Sequence, residues 1–543
     1  MDIREFDAMR RSRGATPSRR KGIAGQAMVL FLVLVGVLCL GVVLLFDTGQ
    51  TVNKKVRLTN TADAAAYSVA VQQARAMNFA AYMNRGRVAN EVAIAQLVSL
   101  WSWMNMMHTH TVVGHNFFTY LSAVPYVNVV ARPLAQAYKA AEKVVSGMRA
   151  VYRPVASMLI SGGGIEPVSL SLDDLNGLLA TAADAMLAVG AGADGYLIAK
   201  DVIEANDPDA RLAPVGEALL IGQLAHAGIG GGLLDRHKAA TRNPGMDRFR
   251  NVVMGSRDHF SADRGDQVGL PFIKIVERGG TDMVEYDRWA AMDTIDLRVK
   301  VDLGFWELKW NLPLGFGGAQ AVRSGQPDFF PGIQSGGENR NEEGWYTEYH
   351  PPATYDPYGS VGGRSGNLAA RYPSVNAPAS RPFFTPMRPS GSLNQKKDAY
   401  FTGYTGLRDY YDVKEQYGKS PEGEDAGPIF TVFVESDRAK VRTSQDIDGI
   451  GGPSGGQLEL NNGMSGDKMT AISSAQVYFN RPPADPLGAF RRMVPKGWGE
   501  DASADNQLEM GSLFSPYWQA RLTETPTWAY AAVGITSLAS GSP

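Results

Sequence analysis

The sequence predicts an α+β protein that one helix near the amino terminus holds in a membrane. An uncharged apolar run covers Ala27 to Phe46, and a long Ala-rich stretch without proline follows it. After Gly265 the hydrophobic period changes from helical to alternating. We therefore expect a basic tail at 1–22, a transmembrane helix at 23–46, a helical stem and helical region at 47–265, and a β-rich domain at 266–543.

Composition narrows the possible classes of function. The chain has 543 residues, long enough for several domains with buried cores. It carries 53 Lys and Arg against 55 Asp and Glu, so it lacks the basic surplus of a general nucleic-acid binder. A single cysteine, Cys39, excludes an intrachain disulfide and cysteine-based zinc or iron–sulfur sites. The 60 glycines and 30 prolines predict long irregular loops.

The apolar run is long enough to cross a bilayer. At about 1.5 Å per residue it spans roughly 30 Å, and its Leu, Val and Phe side chains favour insertion by about 5–9 kcal/mol. A cleaved secretory signal is the alternative. Its apolar region is usually about 7–15 residues and ends at a small-residue cleavage site. Here the polar sequence Asp47-Thr48-Gly49-Gln50 follows instead, which favours a permanent anchor.

Basic residues set the expected orientation. Seven precede the span, and only Lys54, Lys55 and Arg57 follow it closely. By the positive-inside rule the amino terminus lies in the cytoplasm and nearly all of the remaining chain lies outside it. The basic tail is expected to rest on anionic lipid headgroups.

The helix is expected to continue beyond the span as a stem. Small and apolar residues recur at steps of three and four, which places them on one narrow helical stripe. That stripe either packs on the chain's own domain or contacts other subunits. Its members are Leu58, Ala62, Ala65, Val69, Ala76, Phe79 and Met83.

This amino-terminal region resembles the TadE/TadG-like proteins of the bacterial Flp (tight adherence) pilus system. The resemblance covers roughly residues 19–75. It runs from Gly25-Gln26-Ala27 through the span to Asp47 and Gly49 and ends in a stem motif. The residues of that motif are Asn60, Ala62, Asp63, Ala64, Ala65 and Ala66. A second segment, Pro516 to Leu522, resembles a carboxyl-terminal segment of the TadG-related group.

The resemblance implies a bacterial inner-membrane protein with its bulk in the periplasm. In pilin-like members a peptidase cuts after a glycine, and a glutamate stands five residues further on. Taking Gly25 as that glycine, the fifth residue is Leu30. Leu30 cannot pair with a neighbour's new amine, which favours an uncleaved chain, although cleavage before Gln26 remains the alternative. The metal-binding Asp-x-Ser-x-Ser motif of some TadG members is absent from the sequence.

The rest of the chain is predicted to be helical first and β-rich afterwards. Helices are expected at 126–160, from a capping box at Ser171 and Asp174 to about 206, and from Pro214 to about 260 with a glycine interruption. Alternation over 295–303 predicts a half-buried strand, followed by a bulge or hairpin near Gly304 and further strands at 429–434 and 475–479. The sheet should be mostly antiparallel. A long Gly-, Pro- and aromatic-rich loop is expected near 315–428.

Candidate chemistry is sparse. His108, His110 and His115 lack an intervening carboxylate. The G-x-S-x-G match at 452–456 lies in a glycine-rich run and not between a strand and a helix, and the serine motif at 465–468 lacks its partner motifs. An acidic loop at Asp446 and Asp448 has isoleucine where calcium needs a third ligand. No catalytic residue, metal ligand or cofactor site is therefore predicted.

The sequence predicts a non-catalytic, membrane-anchored component of a Flp-type pilus or related secretion apparatus. Its expected partners are membrane lipid and other subunits of that apparatus, with neither nucleic acid nor a small-molecule substrate. The alternative is a membrane-tethered periplasmic enzyme of the hydrolase class. A cluster of titratable side chains in a deep pocket would favour the enzyme.

Overall fold

The computed structural model describes most of the chain outside its amino-terminal tail and four longer segments. The described residues are 23–162, 170–190, 193–240, 243–262, 264, 266–284, 286–302, 304, 307–323, 400–414, 425–441, 468–480, 511–532 and 534. The basic tail, most of the expected loop near 315–428, the acidic loop at 446–448 and the serine motif at 452–456 lie outside them, as does Ser465.

The amino-terminal half is largely helical, as predicted. The span and stem form one continuous helix of 99 residues. Shorter helices follow, and the capping box is present, since the Ser171 hydroxyl accepts from the Asp174 backbone N–H at 3.1 Å. The helices are α1 (Ile23–Leu121), α2 (Asn128–Ser161), α3 (Leu172–Gly190), α4 (Ala193–Asn206), α5 (Pro214–Ala227), α6 (Pro244–Gly255), α7 (His259–Ala262) and α8 (Thr527–Ala532).

Eleven strands lie among the described residues, mostly in the second half of the chain. Two of them, β1 and β2, fall inside the region that was expected to be wholly helical. The strands are β1 (Ala210–Leu212), β2 (Leu234–His237), β3 (Asp266–Leu270), β4 (Ile273–Val284), β5 (Arg288–Asp302), β6 (Glu307–Val322), β7 (Tyr400–Thr402), β8 (Tyr410–Val413), β9 (Asp425–Asp437), β10 (Lys468–Phe479) and β11 (Trp518–Thr523).

The chain divides into two compact units. The first comprises Met1–Ala65, Lys200–Glu217 and Val432–Ser473. In it β1 pairs antiparallel with β9, from Ala210 opposite Ser436 to Leu212 opposite Val434. The backbone N–H of Ala213 then donates to the Phe433 carbonyl at 3.0 Å.

The second unit comprises Ala66–Ala199, Ala218–Thr431 and Ser474–Pro543. Its largest sheet has the order β3-β4-β5-β6-β7, antiparallel except for the β6–β7 pair. The strands β2 and β8 form a second antiparallel pair, and β10 pairs antiparallel with β11. The predicted hairpin near Gly304 joins β5 to β6, while the register shift lies earlier, between Ile295 and Asp296.

The predicted loop was too long at both ends, because β6 extends to Val322 and because β7, β8 and the start of β9 lie between 400 and 428. The glycine-rich sequence from Gly315 to Gly318 lies inside β6 because helix α1 packs directly against that strand. A side chain built at Gly317 would begin 2.2 Å from the Ser102 carbonyl oxygen. Asn105 of α1 donates to the Gly318 carbonyl at 2.9 Å. Glycine is therefore needed here for close approach of a helix to a strand, and a composition typical of loops belongs to the core.

Candidate functional site

The first part of α1 is an apolar helix that the chain leaves uncovered. Its large side chains from Met28 to Phe46 are mostly exposed, for example Leu30 at 74%. No other residue that the structure describes lies within 4 Å of side-chain positions built on Gly36 and Gly41. Among the described residues this is the one helix that is by itself long and apolar enough to span a membrane. The bent pair α3 and α4 reaches that apolarity only jointly. An exposed apolar surface of this length is typical of a membrane-spanning helix.

The stem begins where the span ends, and the chain covers one of its faces. Asp47 is 4% exposed, whereas Gly49 and Asn60 are exposed. Ala62, Ala65 and Ala66 are fully buried, and Asp63 and Ala64 are partly buried. Of the remaining stripe residues Leu58, Val69 and Ala76 are fully buried and Met83 is partly buried.

Phe79 differs from the expected arrangement, because 37% of its surface is exposed. The cause is the helical period. At about 100° per residue, Phe79 lies roughly 60° to one side of Leu58. The buried face extends to the other side, through Ala66, Gln73 and Met77. Residues that repeat every 3.5 positions shift by about 20° per heptad around a straight helix, so after about three heptads they lie beside the buried face and not on it.

Two basic residues fix the stem within the first unit. The Lys54 ammonium lies 2.9 Å from the Asp207 carboxylate, whose side chain is fully buried. The Arg57 guanidinium donates to the Asn206 carbonyl at 2.8 Å, at the carboxyl end of α4. Cations are favourable at that end of a helix because its last carbonyls are unpaired. The charges that follow the span thus also hold the stem in place.

The carboxyl-terminal segment from Pro516 to Leu522 lies on α1 in the second unit. The Asn78 side chain donates to the Trp518 carbonyl at 2.8 Å and accepts from the Trp518 backbone N–H at 2.9 Å. Asn84 donates to the Leu513 carbonyl at 2.8 Å. These side-chain amides pair with backbone groups at the start of β11 and just before it, as the backbone of a neighbouring strand would. The segment is therefore part of the surface built around α1.

A comparison with known protein families gives a match to the span and the first part of the stem. Residues 25–73 match the family model described as putative Flp pilus-assembly TadE/G-like. The match confirms the resemblance that the sequence predicts for about residues 19–75. It includes the exposed apolar span and the first part of the stem, whose inner face is buried. No curated protein and no solved structure matched the chain in these comparisons.

Within the TadE/G-like segment the possible processing residues lie at the start of α1. Gly25 and Gln26 are in its first turns, and Leu30 points away from the rest of the chain. The pilin glutamate has no counterpart at this position.

Beyond the TadE/G-like segment, α1 carries a buried polar network that sequence reasoning missed. The Glu91 carboxylate, 1% exposed, accepts from Tyr404 at 2.7 Å, Trp289 at 3.0 Å and Asn176 at 2.9 Å. Burial raises the pKa of Glu91 to about 7, against the effect of these donors. The available signal was the polar series Asn84, Arg87 and Glu91, which recurs at steps of three and four on the face of the buried apolar residues.

The histidines do not meet in one place. The His110 ring nitrogen Nδ1 lies 3.2 Å from the Leu314 carbonyl, and that of His115 lies 2.9 Å from the Ala135 carbonyl. Burial lowers the pKa of His110. In the part of the chain that the structure describes, no three His, Cys, Asp or Glu side chains are grouped to hold a metal ion.

A polar cavity of about 790 Å³ opens in the second unit beside α3 and β8. Its charged side chains are largely paired: Arg236 with Asp409 at 3.1 Å, and Arg408 with Asp173 at 3.2 Å. The Thr405 hydroxyl donates to Asp173 at 2.8 Å. Among the described residues that line the cavity there is no histidine, serine or cysteine.

Proposed function

We propose that this chain is a non-catalytic, membrane-anchored assembly component of a Flp-type pilus or a related secretion apparatus. The coincidence of the TadE/G-like match with the uncovered span and the stem is the observation that carries the proposal. The span holds the chain in the bacterial inner membrane. The amino terminus lies in the cytoplasm, and the two folded units lie in the periplasm, where other subunits are reached.

The orientation rests on the basic residues before the span. In the full chain, a periplasm-active phosphatase fused after Pro543 should be active, and a reporter that fluoresces only in the cytoplasm should stay dark. The reverse pattern would refute the topology. Sequencing the amino terminus of the membrane-extracted protein tests processing. Because Leu30 replaces the glutamate, we expect the unprocessed terminus rather than a start at Gln26.

The exposed side of the stem next to the membrane is the proposed contact for neighbouring subunits. Val52 and Val56 are 56% and 51% exposed and lie one helical turn apart. An apolar pair beside the span suits the apolar stem of another pilus subunit. The packed stripe from Leu58 to Ala76 is already covered by the chain and serves to hold the stem.

Gene deletion and complementation test this function. Deletion should abolish surface pili and pilus-dependent adherence, and the wild-type chain should restore both. Val56→Glu should keep normal protein level but restore adherence poorly. Asn53→Glu adds the same charge at a position that is also exposed but is already polar, so it is the matched control and should restore adherence fully. If cells without the gene still assemble pili, the proposed function is wrong.

The polar cavity favours one second candidate, a membrane-tethered periplasmic hydrolase. Asp184 lines it, and burial raises the pKa of this carboxyl. An enzyme would need such a group as a general acid or base. Asp184→Asn should then abolish pilus function at normal protein level. Under the scaffold function the same variant should behave as wild type.

A further inference from the structure

Helix α2 carries an apolar face that the structure leaves exposed over nearly its whole length. The residues of this face follow steps of four and three without interruption, which is the heptad pattern of a coiled-coil seam. Val130, Val144 and Val151 are 63%, 62% and 71% exposed. The full set, called here the α2 seam, is Val130, Leu134, Ala137, Ala141, Val144, Met148, Val151, Val155 and Met158.

The other side of α2 is already packed, so the seam is not the face that holds the helix in place. Ala131, Ala135, Ala156 and Ile160 are buried. The Tyr152 hydroxyl donates to the Leu97 carbonyl of α1 at 2.8 Å, and Arg149 donates to Asn105 at 3.0 Å. By helical geometry the seam lies about 100° around the axis from this inner face. The fold therefore presents the seam outward on an anchored helix.

The positions that flank the seam carry no charge. On one side they are Ala131, Tyr138, Val145, Tyr152 and Leu159, and on the other Pro133, Ala140, Gly147 and Pro154. Charged flanks normally select or reject a coiled-coil partner, and this seam has none to repel an identical helix. Within the described part of the chain nothing lies within 4 Å of a side-chain position built on Gly147, so a partner helix can approach closely there.

The seam approaches the size of a specific protein contact when two copies meet. From Val130 to Met158 it is about 43 Å long, and a helix is about 10–12 Å wide. Two such faces bury roughly 900–1,000 Å² together, near the lower limit of about 1,000 Å² for a specific protein interface. As a single exposed patch it lies within the size range that usually marks a functional surface.

We propose that the α2 seam pairs with the α2 seam of a second copy of this chain, which forms a two-stranded coiled coil. In a dimer with a twofold axis each copy contributes the same surface, so one apolar seam can form both sides of the interface. Confinement of both copies to one membrane raises their effective concentration and supports an interface of modest area. The pairing is independent of the assignment to a pilus.

Cysteine cross-linking of the full chain in its native membrane tests the pairing. Cys39 is the only cysteine, so Cys39→Ser provides a background without thiols. In that background Val144→Cys should oxidise to a disulfide-linked species of twice the 58.6 kDa chain mass. Lys143→Cys, exposed one residue away but off the seam, should give at least tenfold less. A parallel pair also cross-links Ala137→Cys and Val151→Cys each to itself. An antiparallel pair cross-links them only to one another.

A second measurement does not depend on disulfide geometry. The wild-type chain, extracted together with its surrounding membrane in polymer-bounded lipid discs, should have twice the monomer protein mass in multi-angle light scattering. Val144→Glu with Val151→Glu should be monomeric and, because both positions are exposed, folded. A monomeric wild type, or a folded Val144→Cys chain that gives no dimer, overturns the proposal. A Val144→Cys chain that cross-links to a different protein also overturns the proposal. So does a fluorophore at position 144 whose emission shows contact with lipid while no dimer forms.

Discussion

The buried carboxyl of Glu91 should make the second unit less stable as the pH rises towards neutrality. An ordinary glutamate titrates near 4.5, whereas burial raises the pKa of Glu91 in the folded chain to about 7. Between about pH 4.5 and pH 7 the folded protein therefore keeps a proton on Glu91 that the unfolded chain has released. Stability is fully present below about pH 4.5 and is lost as the pH rises through 7. The difference corresponds to roughly 3 kcal/mol of unfolding free energy.

Glu91→Gln removes this titration while it keeps the shape of the side chain. The amide oxygen can accept from Trp289 and Tyr404. Its NH₂ group can donate to Asn176 once the side-chain amides of Asn176 and of Asn90, which now donates to Asn176 at 3.0 Å, are both flipped. We expect the variant to match the wild type near pH 4.5 and to exceed its stability at pH 8 by up to about 3 kcal/mol.

Thermal unfolding of the solubilised full chain from pH 5 to 8, followed by tryptophan fluorescence, measures the effect. The midpoint of the wild type should fall across this range, and that of Glu91→Gln should change much less. Glu204→Gln, at an exposed position on α4, is the control and should follow the wild type. Parallel pH profiles for wild type and Glu91→Gln, or a variant less stable at pH 8, would refute the reasoning.

Three further substitutions test how the stem is held. Gly190→Ala should destabilise the second unit by about 1–3 kcal/mol, because the new methyl would begin 2.4 Å from the Ala76 side chain. Gly222→Ala on α5, which has open space, should be neutral or stabilising by up to about 1 kcal/mol in the same melt. Asn78→Ala removes both hydrogen bonds to Trp518, so limited proteolysis should cut the carboxyl-terminal segment sooner; an unchanged rate would show that other contacts hold it. Lys54→Ala should cost several kcal/mol, because among the described residues it leaves the buried Asp207 carboxylate with only the Asp209 backbone N–H, at 3.3 Å, and the more distant Arg57 cation, at 3.9 Å. Asp207→Asn in the same background should restore part of the loss, and additive losses would contradict this pairing.

Much of the architecture was determined by short-range patterns. The span, its continuation into a stem, the capping box at Ser171 and the α+β order all follow from residue type and period along the chain. These features need no knowledge of distant residues, because a helix satisfies its backbone hydrogen bonds within itself. The family resemblance of residues 25–73 was readable for the same reason, since it lies on one continuous element.

The tertiary structure decided which side of each element is covered. Gly315 to Gly318 have the composition of a loop but form a strand, because α1 lies against them. Phe79 has the spacing of a packed residue but is exposed, because the covering elements lie on the other flank of the helix. Glu91 gains its donors from residues 85 to 313 positions away. Such pairings depend on long-range packing, in which burial makes each polar group require a partner that no local pattern specifies.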